Sequence, residues 1–113
     1  MTKTEKKIAA LTEALIKAKE AGEKYTDIDD GGTCNFDSPK LYLPYWKQAD
    51  VEAACANAGL SCFKYELWGS KAYVICGGPI NSGQGDRRTK VAEVMYEKLK
   101  TYGYDAGMYY QMD

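Results

Sequence analysis

Arg87 and Arg88 stand side by side at the end of the stretch GGPINSGQGDRRTKVAEV, residues 77–94. The stretch reads as a glycine-rich loop leaving a buried strand and entering an amphipathic helix. Backbone N–H groups of such a loop converge, and the helix dipole adds about half a positive charge at that end. Two guanidinium groups placed there oppose the usual preference for acidic side chains. They call for a compensating anion, which the forked donors of arginine match well. Gly83, Gln84, Gly85, Arg87, Arg88 and Thr89 therefore form the candidate anion site, suited to a nucleotide or another phosphorylated small ligand. The loop lacks the glycine-lysine-Ser/Thr ending of a Walker A motif, and its GQG is too short for a dinucleotide fingerprint. The competing reading is a solvated connection whose arginines pair with Asp86, Glu93 or a neighbouring strand.

The acidic stretch DIDDGGTCNFD is the second cluster. Its opening superficially resembles a calcium loop, but Gly31 replaces one expected ligand and Ser38 stands where a bidentate glutamate is required. Turn formation explains its aspartates and glycines without a metal. Asp30, Thr33, Asn35 and Asp37 remain candidates to support the arginines, should Asp30 or Asp37 meet Arg87 or Arg88 in space. The chain has no histidine, which removes Ser–His, Cys–His and His-ligated metal mechanisms. An enzyme here would have to work with carboxylates such as Asp30 and Asp37 together with an arginine. The four cysteines (Cys34, Cys55, Cys62 and Cys76) include no C-x-x-C pair and read as reduced core thiols. No cofactor and no metal is expected.

The third feature is aromatic. Ten tyrosines and two tryptophans exceed what one small core can absorb. Tyr42, Tyr45, Trp46, Trp68, Tyr109 and Tyr110 are the candidate contact residues, because tyrosine and tryptophan offer large contact area at low entropic cost.

The elements that must position these groups begin with a helix over the first 25 residues. Thr2 and Glu5 fit a capping box. Ile8, Leu11, Leu15, Ala18 and Gly22 or Tyr25 repeat at helical spacing, while Glu13–Lys17 and Glu20–Lys24 fit i,i+4 pairing. This narrow stripe suits docking on the rest of the domain or a two-helix dimer seam. TCNFD reads as a short strand stopped by Ser38-Pro39, with KLYL continuing extended. A helix follows, with Val51, Ala54, Cys55 and Ala58 on one face and Gly59 as its left-handed cap. SCFKYELW alternates as a half-buried strand, a turn falls at Gly69-Ser70, and KAYVICGG reads as a central strand. The last helix has Asp86 as N-cap, a stripe of Val91, Val94 or Met95, Leu99 and Tyr102, and Gly103 as cap. YDAGMYYQM closes the chain as an edge strand.

From residue 33 the order strand, helix, strand, strand, helix, strand resembles the ferredoxin-like split-βαβ architecture, a four-stranded antiparallel sheet with two helices on one face. The expected organisation is an N-terminal amphipathic helix (1–25) followed by an α+β domain (26–113). That topology carries no function by itself. Net charge of −1 over 113 residues argues against a nucleic-acid binder. The polar N-terminus argues against a signal peptide or membrane span, so the expected location is cytoplasmic. The expected function is a small non-enzymatic protein-interaction module, an inhibitor or regulator of the kind carried by phages and mobile elements. It would act through its aromatic surface and sheet edge, with homodimerisation through the first helix or that edge as a further expectation. The anionic-ligand protein is the alternative, and the carboxylate/arginine enzyme stands third.

Overall fold

The computed structural model describes residues 2–24, 37–67, 70–78 and 85–109; at 66, 67, 70 and 85–88 it describes the backbone alone. Among these residues, three helices and four strands run in the order α1 (Lys3–Glu23), β1 (Ser38–Tyr42), α2 (Gln48–Asn57), β2 (Ser61–Leu67), β3 (Ser70–Cys76), α3 (Gly85–Thr101) and β4 (Ala106–Tyr109). The strands form one sheet in the order β2-β3-β1-β4, every neighbouring pair antiparallel. β3 is central and β4 lies at an edge, as their apolar content and terminal position predict. The predicted TCNFD strand lies outside the described residues up to position 36.

Ser38-Pro39 opens β1 rather than stopping a strand. Tyr42 N–H donates to the Asp105 carbonyl (2.8 Å) and Leu43 N–H to the Lys71 carbonyl (3.2 Å), so alternate amides of β1 face β4 and β3. By that alternation position 39 faces β3, whose register with β1 begins only at Lys40. The missing N–H of Pro39 therefore leaves no ladder bond unmade.

One face of the sheet is covered by helices. Leu41, Leu43, Tyr73 and Ile75 meet Val51, Ala54, Cys55 and Ala58 around α2 and Val91, Met95 and Leu99 of α3 in one apolar cluster. α2 packs on β2, and α3 packs on β1 and β4. α1 docks on both helices, and its Leu11, Ala14, Leu15 and Ala18 belong to the same buried cluster. The predicted stripe is thus used inside the domain. At its start Glu5 N–H donates to Thr2 Oγ1 (3.1 Å) and the Thr2 hydroxyl donates to Glu5 Oε1 (3.2 Å), a close relative of the predicted capping box. On its outer face Lys17 pairs with Glu20 (3.7 Å) instead of Glu13, one of two turn-neighbour geometries open to the same side chain.

Both predicted glycine caps form. Gly59 has φ +76° and Gly103 φ +89°. After α2, Gly59 N–H donates to Ala56 O (3.0 Å) and Leu60 N–H to Cys55 O (2.8 Å). After α3, Gly103 N–H donates to Lys100 O (2.9 Å) and Tyr104 N–H to Leu99 O (3.3 Å). These are Schellman motifs, each followed by a residue that returns to the core. Tyr104 packs against the core, whereas Tyr102, expected in the buried stripe, is exposed because it lies past the last helical residue. α3 also begins two residues earlier than expected, leaving Asp86 inside the helix. At the C-terminus of α2, Lys19 of α1 donates from Nζ to the Ala58 carbonyl (2.9 Å), a cation on the negative end of that helix.

Two outcomes follow. Leu15→Ala should destabilise the whole domain by about 2–5 kcal/mol in urea unfolding, in a single transition, because the cavity opens in the common core. Gly103→Ala should cost about 1–2 kcal/mol by the same measurement, although nothing lies within 4 Å of the added Cβ; the whole cost is backbone conformation.

Candidate functional site

The helix-free face of the sheet is the more informative one. Register places Phe63, Val74, Lys40 and Gly107 in one cross-strand row, with Tyr65, Ala72 and Tyr42 in the next. Val74 is 0% and Ala72 2% exposed, although none of the described helices lies over them. Among the described residues, aromatic side chains gather on this face. The Tyr109 ring on β4 makes edge-to-face contacts with Phe63 (5.9 Å between centroids) and Tyr65 (5.2 Å) on β2. These strands stand three spacings apart, roughly 14 Å, so the rings must lean inward across β1 and β3 to meet. Phe63 remains 45% exposed, leaving an apolar surface on top of the cluster.

Around it stand cations and a further ring. Lys40 Nζ lies 5.3 Å from the Tyr42 ring centroid on the same face, a cation–π distance. Tyr42, Pro44, Lys71 and Asp105 line an open cleft of about 210 Å³ at one end of the sheet. Tyr45 next to it is 93% exposed. Trp46 turns the other way: it packs against the core, with Lys7 Nζ 4.4 Å from its ring centroid. Of the predicted contact residues, Tyr42 and Tyr109 are half-buried at this surface, Tyr45 is exposed in the connection after β1, and Trp46 is used to seat α1. Trp68 and Tyr110 lie outside the described residues.

The candidate anion site is described in part. Gly83 and Gln84, with Asp30, Thr33 and Asn35, lie outside the described residues. Gly85, Arg87 and Arg88 belong to the first turn of α3, where the sequence places them, and their side chains lie outside the description. Thr89 and Asp37 do come together. Thr89 Oγ1 donates to Asp37 Oδ2 at 2.7 Å, across 52 positions of sequence. Asp37 is 3% exposed and Ser38 beside it 1%. A buried carboxylate is costly unless hydrogen-bonded, so this bond ties the start of β1 to the second turn of α3. It also sets a negative charge close to the positive end of that helix.

Sequence reasoning singled out Tyr109 but passed over Phe63 and Tyr65 as contact residues. Their alternation with Cys62 and Lys64 marks the strand correctly. The helix-covered face, however, takes Cys62, which packs against the core, and the aromatic side looks away from the helices. Among the described residues no group of three or more His, Cys, Asp or Glu side chains is placed to hold a metal ion. No described helix is long and apolar enough to cross a membrane.

Comparisons with protein-family models, with curated proteins and with solved structures gave no match.

Thr89→Val should cost about 1–3 kcal/mol in denaturant unfolding, the range for depriving a buried acceptor of a partner. Thr89→Ser, which keeps the hydroxyl, should recover most of that loss.

Proposed function

We propose that this chain is a small non-enzymatic interaction module, an inhibitor or regulator, that binds a protein partner through the helix-free sheet face and the adjoining β4 edge. The observation that carries the reading is Phe63, 45% exposed on top of the Phe63–Tyr65–Tyr109 cluster. Rings already held by neighbouring rings lose little freedom on binding, which is what makes aromatic residues effective contact anchors. Tyr45, Lys40 and the Tyr42–Lys71–Asp105 cleft supply a polar surround of mixed charge. β4 lies at the edge of the described sheet, the kind of position that accepts a partner strand.

The reading extends to the fold. The order β2-β3-β1-β4 sets β3 between β1 and β2, and β1 between β3 and β4, with α2 and α3 making the crossovers. That supports a ferredoxin-like split βαβ, to which α1 adds a further helix.

The second reading, a protein for a nucleotide or other phosphorylated ligand at residues 83–88, draws support from α3 starting at Gly85. Asp37 weighs against it: a buried carboxylate near that helix end reduces the need for an outside anion. The enzyme reading loses Asp37 as a free acid–base group, because its carboxylate accepts the Thr89 hydroxyl.

A photo-crosslinking residue at position 63 tests the first reading, with position 98 on the exposed side of α3 as control. The expected result in lysate of the source cells is a discrete crosslinked protein from position 63, lost on adding unlabelled wild-type chain in excess. Equal crosslinking from both positions, or none from position 63, would overturn it. A nucleotide and phosphate panel in thermal shift decides the alternative, since a ligand at 100 times its Kd stabilises by about 2.7 kcal/mol.

A further inference from the structure

Cys55 closes the last turn of α2 and is buried, while Cys62 is the second residue of β2 and partly exposed. The chain between them reverses through the Gly59 cap. Leu60 N–H on Cys55 O (2.8 Å), Gly59 N–H on Ala56 O (3.0 Å) and Lys19 Nζ on Ala58 O (2.9 Å) hold that reversal in place. The start of β2 is thereby laid back against the end of α2, where Cys55 lies in the buried cluster and Cys62 packs against that cluster, which puts the two thiols within reach of each other. Nothing in the interaction-module reading uses this pair.

We propose that Cys55 and Cys62 are a redox-active thiol pair that closes to an intrachain disulfide when the protein meets a peroxide. The two sulfurs are chemically unequal. Hydrogen bonding from Cys55 draws the Cys62 thiol below its ordinary range, against the opposing effects of burial and of Glu52. The same bond, with burial, pushes Cys55 far up. Cys62 is therefore the accessible nucleophile and Cys55 the resolving thiol.

The Cys62 thiolate attacks one oxygen of hydrogen peroxide, the O–O bond breaks, and the departing hydroxide takes a proton to become water. Cys62 is left as a sulfenic acid. The Cys55 sulfur then loses its proton and attacks the Cys62 sulfur; the S–O bond breaks and the hydroxyl leaves with that proton as a second water. Two thiols have been oxidised by two electrons and one peroxide reduced to two waters. Cys76 is the nearby third thiol, but strand alternation sets it, paired with Ser61, on the sheet face opposite Cys62.

The test is peroxide treatment of the reduced full-length chain, followed by alkylation, non-reducing digestion and mass mapping. The expected product is one Cys55–Cys62 linkage with the loss of two hydrogens, Cys76 staying open to alkylation. In Cys55→Ser the resolving thiol is gone, and dimedone should trap a sulfenic acid at Cys62. First oxidation at Cys34 or Cys76, disulfide-linked dimers with the pair still reduced, or an unmodified Cys62 in excess peroxide would each overturn the proposal. The wild-type mapping decides it even if the variant folds poorly.

Discussion

The two-sided burial of β3 is the constraint on which the rest of the structure depends. Its side chains alternate between faces, and Ala72, Tyr73, Val74 and Ile75 are all buried. A sheet covered by helices on one side can satisfy only half of that demand. Tyr73 and Ile75 enter the helical cluster; Ala72 and Val74 lie on the other face, where aromatic rings from both edges of the sheet meet. Those rings are structural and accessible at once, because a ring layer is one side chain thick. The same geometry that keeps water from Val74 therefore presents Phe63 to solvent, a connection between packing and recognition that a second helical layer would have removed.

The helical side is organised by its terminations. Each Schellman motif returns the chain to the core one residue after a glycine, Leu60 in one case and Tyr104 in the other. β2 and β4 thus start in fixed relation to the helices before them. The first reversal brings Cys62 back to Cys55; the second delivers β4, and with it Tyr109, to the edge. α1 reinforces the arrangement by burying its leucine and alanine stripe against α2 and α3 and by placing Lys19 on the end of α2.

Electrostatics near the start of α3 depend on the residue just ahead of β1. Asp37 and Thr89 are distant in sequence and bonded in space, so the residue just ahead of β1 meets the second turn of α3. Two adjacent arginines in the first turn of a helix look uncompensated when read locally. With a buried carboxylate bonded one residue beyond them, the local charge balance differs from what the linear pattern implies.

The sequence by itself determined the elements whose causes are local. The Thr2–Glu5 cap, the α1 stripe, the faces of α2 and α3, both glycine caps and the central place of β3 all follow from propensity, periodicity and the left-handed freedom of glycine. Boundaries were less legible where a distant partner decides them: Pro39 enters β1 only because no β3 bond is due at that position, and Asp86 falls inside α3. Which face of β2 the helices would cover, which tyrosines would seal the sheet, and which thiols and carboxylates would meet were decided only by tertiary structure. The reason is physical: alternation along a strand fixes two faces but not which neighbour covers each, and contacts such as Asp37–Thr89 or Tyr65–Tyr109 exist only after strand order has set the distance between residues far apart in the chain.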